Sequence, residues 1–570
     1  MYKSPVGQPK LKFKDIPFEF TPDPDNRWVR LADLVPWEEL ELLSGYRNHF
    51  GSTGNPALSF RVAFGALLVQ ARLHLTDEET VEQIRENPYI QYFLGFEGYR
   101  SEKRPFDPSM MVYFRKRLDA ETLKALDLRI FERRREAEET AKKAEEAAKK
   151  EDGVASGTEA DSTPVVGNDE EPPPSGSSET LNGSDASAPK GSSQENPSPA
   201  KGDTAPSSAA EAPEGSGPGK PSETSAPEPK GTLILDATCA PADITYPTDL
   251  KLLAAARVAT EKLLDVIWTI LGKPGEKKPR TYRRIAAGCA TVACKQRNIG
   301  GKKLRSALRK QLSFLARNLN AIESLLAATS LGEHLLSERE RKMLETAREV
   351  YRQQKHMLDT RTHRTAARIV NFAQPHVRPI VRGKAGAKVE FGAKILVAVE
   401  NGHTFVVHSS WENFNESTLF VEACGQYRKR NGCWPEVVCA DMIFRTRANL
   451  AWCKERGIRL SGPSLGRPPL DEGKLEERKR LEREDSAKRN EVEGKFGEGK
   501  RKYGLDRIRG KLPETSESII ILQFIIMNLW RMLRDILSFF LESVEKVVLV
   551  MSCVILIHNL STSALMKQGS

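Results

Sequence analysis

The sequence predicts an α/β protein: a mixed sheet carrying a large all-helical insertion, preceded by an all-helical N-terminal domain. Three observations predict it. Two short apolar runs each end in an aspartate, Leu233-Ile234-Leu235-Asp236 and Val437-Val438-Cys439-Ala440-Asp441, as buried strands of an α/β domain do. Between them, Val389 to His408 reads as two β-rich runs around Asn401-Gly402, a strong hairpin signal. Leu250 to about Phe372, by contrast, carries helical spacing throughout.

In chain order, residues 1–140 form the helical N-terminal domain. Pro56 to Leu75 is apolar enough to be a largely buried helix, and Thr76-Asp77-Glu78-Glu79 is a capping-box pattern that opens the next one. Asn87-Pro88 breaks that helix. Asp107-Pro108 offers an N-cap and an N1 proline for a helix through Leu118, which carries Arg115, Lys116 and Arg117. Short helices ending in a basic one are compatible with a helix-turn-helix-like DNA reader, but the helices alone favour a packing domain whose basic residues are merely solvated.

Residues 120–150 continue as a charged helix. The stretch Glu151 to Lys230 is rich in Ser, Pro, Gly and Glu and has no aromatics. It cannot bury enough apolar surface to offset its ordering entropy, so residues 141–230 are expected to be a disordered linker. Residues 231–540 form the α/β domain, with its insertion at about 250–372. Within it Phe414 to Lys429 is expected as a helix, Arg447 to Arg456 as another, and Ile458 to Leu460 as a strand. The run from Ile519 to Leu541 is a core helix, and residues 541–570 are a C-terminal apolar helix and tail.

Charge points to the partner. The 570 residues carry a formal +10, with pI about 9.0. Glu151 to Lys230 holds fifteen acids and four lysines, a net −11 that leaves +21 on the remainder. A body this basic suggests nucleic acid, with a soluble basic protein as the equal alternative on charge alone. Eight scattered cysteines form no C-x-x-C pair, so they read as reduced thiols of a cytosolic protein and not as a zinc set. The N-terminus lacks a signal peptide's apolar core, and Val547 to Ile557 is too short to span a bilayer. No membrane role is expected.

The candidate chemistry lies in three acids. Asp236 and Asp441 close apolar strands. Glu493 stands in the frame Arg489-x₃-Glu493-x₆-Lys500, which puts all three residues on roughly one helix face. Asp236, Asp441 and Glu493 could together hold two Mg²⁺ ions for in-line phosphoryl transfer, with Mn²⁺ expected to substitute. Glu491 is the fallback for the third acid. Arg489 and Lys500 would neutralise phosphate charge beside the metals. Asp243 and Asp249 read as turn or cap residues. Trp411 reads first as a packing tryptophan, with base stacking as its functional alternative.

The set ILDATCAP with YPTDL, RPIVRGKAGAKVEFGAKI, SWENFNES, VVCADMIFRTRANL, GPSLGRP and RNEVEGKFGEGK resembles the DDE transposases of bacterial insertion sequences. TDEETVEQIRENPYIQYFLG and PFDPSMMVYFRKRL resemble the InsH-type N-terminal domain of one branch. The resemblance implies an RNase H-like catalytic domain with Asp236 and Asp441 as the first two metal ligands. It also implies a cytoplasmic, nucleoid-associated bacterial enzyme that cuts terminal inverted repeats and joins them to target DNA, as a homodimer in the DNA complex. Related frames carry a tyrosine three residues before the arginine; here that position is Ser486. The long linker is also unusual for the family. The rival readings are an RNase H-like nuclease that cuts without joining, and a non-catalytic DNA-binding protein derived from a transposase.

Overall fold

The computed structural model describes residues 22–53, 56–154, 228–272, 275–296, 298–381, 389–463 and 471–568. Most of the expected linker, the RGKAGAK part of one resemblance motif and most of GPSLGRP lie outside the described residues. The described residues up to Ala137 and from 228 onward form one compact unit, and those from Glu138 to Val154 belong to a second.

The sheet is built around β1 (Thr232–Pro241). One neighbour is β3 (Val389–Glu400), antiparallel, in register from Ile234↔Val399 to Pro241↔Gly392. The other is β5 (Val437–Ala440), parallel, from Thr232↔Val437 to Leu235↔Ala440. Beyond β5 lies the short parallel β6 (Arg459–Leu460). The far edge of β3 pairs at one end with β2 (Arg378–Val381) and along the rest with β4 (His403–Ser410). The β3–β4 turn is the expected Asn401-Gly402, with φ of 49° and 77°. Both central residues take the left-handed region that a tight hairpin turn demands.

Alternation along β1 sends its side chains into two cores. Leu233, Leu235 and Ala237 face a layer made by α12 (Phe420–Asn431) and α13 (Arg447–Glu455), with Phe420, Cys424 and Cys453 buried there. Ile234 and Ala240 face the other layer, with Val492 and Phe496 of α14 (Glu472–Lys502) and the apolar stripe of α15 (Pro513–Gln568).

The N-terminal helices close over that second face. They are α1 (Arg27–Leu34), α2 (Trp37–Ser44), α3 (Phe60–Leu73), α4 (Asp77–Glu86), α5 (Pro88–Phe93), α6 (Met110–Arg117) and the part of α7 (Ala120–Val154) up to Ala137. Trp28 meets Trp530 of α15 edge to face at 5.5 Å. Buried Asp127 of α7 accepts from Asn528 Nδ2 (3.2 and 3.3 Å), and Asn528 in turn bonds the Thr404 backbone of β4. The helices are thus continuous in core with the sheet. Between β1 and β2 the chain forms α8 (Asp249–Leu271), α9 (Arg283–Lys295), α10 (Gly301–Ala327) and α11 (Glu338–Thr360). Their shared core includes Leu253, Leu263, Leu315, Ile322 and Leu344.

Some expectations need correction. The Thr76 capping box forms with Glu79, but α6 starts at Met110, because the Asp107 side chain accepts from Ser109 N–H in a turn that comes first. Likewise α12 starts at Phe420, because Asn415 caps a 3₁₀ turn over Glu416–Leu419. The expected core helix and C-terminal helix are one continuous α15. Among the described residues no helix is long and apolar enough to cross a membrane.

Candidate active site

Asp236 does not end its strand as the sequence suggests. The antiparallel ladder with β3 runs five residues further, to Pro241. What ends beside Asp236 is the parallel partner: Leu235 pairs Ala440, the last residue of β5, and Asp236 and Asp441 are the residues that follow that pair. Parallel neighbours lie about 4.8 Å apart, so this register sets the two carboxylates side by side.

The helix above them is pinned by an ion pair one turn earlier. Arg459 of β6 makes a bidentate pair with buried Asp485 (2.6 and 2.8 Å), to which Cys439 Sγ also donates at 3.9 Å. Asp485, Arg489, Val492 and Phe496 follow at steps of four, three and four. That spacing forms one helix face, with Val492 and Phe496 packed into the core. Arg489 Nη1 donates to Asp441 Oδ1 at 3.2 Å.

The two aspartates differ in exposure. Burial pushes the Asp236 carboxyl up to about 6; the Ala237 N–H that it accepts (2.8 Å) and Arg489 act against this, while Glu416 and Asp441 add to it. Asp441 is half exposed. Two carboxylates in close register, one of them poorly solvated, want a positive charge, and Arg489 bonds only Asp441. Hard oxygen ligands of this kind suit a divalent cation such as Mg²⁺.

Glu493 is exposed. Among the described residues no three His, Cys, Asp or Glu side chains stand close enough to hold a metal ion. The structure therefore gathers Asp236 and Asp441 and leaves Glu493 apart. Position on the helix still separates the two glutamates. Glu493 lies about 40° from Arg489 around the axis, whereas Glu491 lies about 160° away, on the far side.

Sequence reasoning missed Glu416. It pairs with Lys394 of β3 at 2.8 Å, both side chains mostly buried, and its charge reaches Asp236. It lies in SWENFNES, the stretch that also holds Trp411. That tryptophan is a packing residue, 9% exposed and edge-on to His376 at 4.4 Å. Asp243 pairs with Arg507 and Asp249 with Arg368, ion pairs that the expected turn or cap role did not include.

The basic helix end of α6 is not the open surface that the sequence suggests. Arg115 is 8% exposed and forks onto Asp77 (2.6 and 2.9 Å) and Gln70. Arg117 lies over the Phe50 ring at 4.5 Å, and only Lys116 of the three is exposed. Lys500 lines a cleft of about 1070 Å³ whose lining includes neither Asp236 nor Asp441.

The mixed sheet and the two carboxylates in register define an α/β protein with an acidic site. Comparison with known proteins narrows that class. Residues 438–530 match the family model of a transposase DDE domain, and residues 17–117 match a transposase domain (DUF772). The first range holds Asp441, Arg489, Glu493 and Lys500; the second holds Arg115, Lys116 and Arg117. The chain is also 36% identical over 104 residues, 18% of its length, to an uncharacterized protein, ORF8 of the nfe locus, from Rhizobium meliloti. The chain spans about half (49%) of that curated relative's length. No solved structure matches. The chain is thus similar to transposase domains over two separate stretches, one in the N-terminal helices and one running from β5 into α15.

Proposed function

We propose that this protein is a transposase that cleaves DNA at the ends of an insertion sequence and joins those ends to target DNA. The observation that carries the reading is the placement of Asp236 and Asp441 on neighbouring parallel strands, one residue past their last pair. The strand order supports an RNase H-like core. β4, β3 and β1 form an antiparallel meander extended by parallel β5 and β6, with α8 to α11 as its insertion.

In this reading Asp236 and Asp441 hold Mg²⁺, or Mn²⁺ in its place, and Glu493 completes the set when α14 meets DNA. Bound there as a pair, the ions would activate the attacking oxygen and stabilise the leaving one. Arg489 holds the Asp441 carboxylate in position and lends positive charge to the scissile phosphate. Water attacks that phosphorus, the bond to the 3′-oxygen breaks, and a free 3′-hydroxyl leaves. That hydroxyl then attacks a target phosphodiester, which exchanges one P–O bond for another. No protein–DNA covalent bond is needed. The active species is a homodimer on paired ends, in the bacterial nucleoid. The test has two parts. The gene's flanks are sequenced for short inverted repeats, and a plasmid bearing those flanks is incubated with protein and MgCl₂. Cuts at the repeats with 3′-hydroxyl ends support the reading; flanks without repeats, or cuts unrelated to them, reject it.

A further inference from the structure

We propose that the cleft between the N-terminal helices and the segment joining α14 to α15 grips the phosphate backbone of duplex DNA. This rests on the transposase reading but moves DNA contact away from the basic end of α6, whose Arg115 is committed to Asp77. One wall is the end of α3, the start of α4 and the outer side of α6. The other runs from Lys500 through Lys511 into the start of α15. The two segments that match transposase families build it together.

The charges favour a polyanion. Arg501, Arg507, Arg509 and Lys511 line the cleft and are all exposed. Of the lining carboxylates, Asp77 is neutralised by Arg115 at 2.6 Å, which leaves Glu78 and Asp506. Arg507 also holds Asp243 at 2.8 Å, and Arg509 donates to the His74 carbonyl at 3.2 Å. These cations stand on an open rim. A long polyanion uses such a rim, whereas a nucleotide pocket would enclose its ligand. Duplex DNA offers one charge per about 1.7 Å of axis to meet them.

The wall is held in place by a close approach. His74, itself at φ 57°, donates from Nε2 to the Lys502 carbonyl oxygen at 2.7 Å. Gly504, at φ +71°, lies so near that a Cβ there would sit 2.6 Å from His74 Nδ1. The basic segment thus has a fixed position against α3 before any DNA arrives.

The experiment uses the full chain, without divalent metal, and a fluorescent duplex of arbitrary sequence titrated at several KCl concentrations. In the triple variant Arg501→Gln/Arg509→Gln/Lys511→Gln, the log–log salt dependence should flatten by about 0.9 per lost contact, roughly 2 to 3 in all. Affinity at low salt should fall at least about tenfold. Asp506→Asn, which removes a carboxylate from the same rim, should instead tighten binding. A triple variant that unfolds like wild type and keeps its slope and affinity overturns the cleft assignment. If that happens while wild type still cleaves repeat-bearing plasmid with MgCl₂, the transposase reading survives alone. Wild type that binds no duplex overturns both.

Discussion

The guanidinium of Arg489 lies 3.2 Å from the carboxylate of Asp441, joining helix α14 to the end of strand β5. The pair is 36% and 52% exposed, so its Coulomb energy is largely screened and contributes at most about 1 kcal/mol. Its importance is positional, since it fixes one carboxylate of the proposed cation site and brings a positive charge to phosphate. Arg489→Gln should therefore leave the urea midpoint nearly unchanged while slowing plasmid cleavage about 10- to 100-fold. Arg489→Lys should recover part of that rate. A large stability loss, or wild-type cleavage by the glutamine variant, would show the pair to be a strut.

The buried acid on α7 makes a pH prediction. Burial pushes the Asp127 carboxyl up to about 7, against Asn528 and Arg430, which favour its charge. Its ordinary value is 3.8. Between those two values the folded chain holds a proton that the unfolded chain has released. This group's contribution is thus fully present below about pH 4, is lost as pH rises toward 7, and stays lost above. The span is up to about 4 kcal/mol. Asp127→Asn should remove that slope and be more stable than wild type at pH 8. Urea midpoints of both proteins at pH 5 and pH 8 check this; parallel pH dependence would contradict it.

Arg115 should behave as a fold residue. Its bidentate pair with Asp77 ties α6 to α4, and Ser518 of α15 donates to its carbonyl at 3.4 Å. Arg115→Ala strands Asp77 and should cost roughly 3 kcal/mol, whereas exposed Lys116→Ala should cost under about 0.5. Denaturation midpoints separate the two. Equal, small losses would restore Arg115 to the list of free DNA contacts.

How much of this was legible in the sequence depended on range. Asn401-Gly402 and the Thr76 capping box are local chemistry, and both form where expected. Asp441 closing β5 was legible too, because an apolar run bounded by a polar residue is also a local signal. Asp236 was misread as a strand end because β1 continues on the strength of β3, whose pairing lies more than 150 residues downstream. Arg115 looked like a surface cation because its partner Asp77 lies 38 residues away on another helix. Glu416 had no local signal, since only folding places its charge near Asp236.

The two helix glutamates should differ in one direction. Glu493 shares a side of α14 with Arg489, and Glu491 faces away. Glu493→Gln should reduce Mg²⁺-dependent cleavage by at least about 100-fold, while Glu491→Gln stays within a few-fold of wild type. The reverse ranking in the same plasmid assay would mean that α14 rotates by nearly half a turn on DNA, or that Glu491 is the third acid.

The account depends most on Asp236 and Asp441 acting as a pair. The direct measurement is MgCl₂-dependent cleavage of the repeat-bearing plasmid by wild type, Asp236→Asn and Asp441→Asn, with duplex affinity measured beside it. The prediction is that each asparagine variant binds DNA about as tightly as wild type and loses cleavage by roughly 1,000-fold or more. An asparagine variant that cuts at the wild-type rate would contradict the assignment of the site.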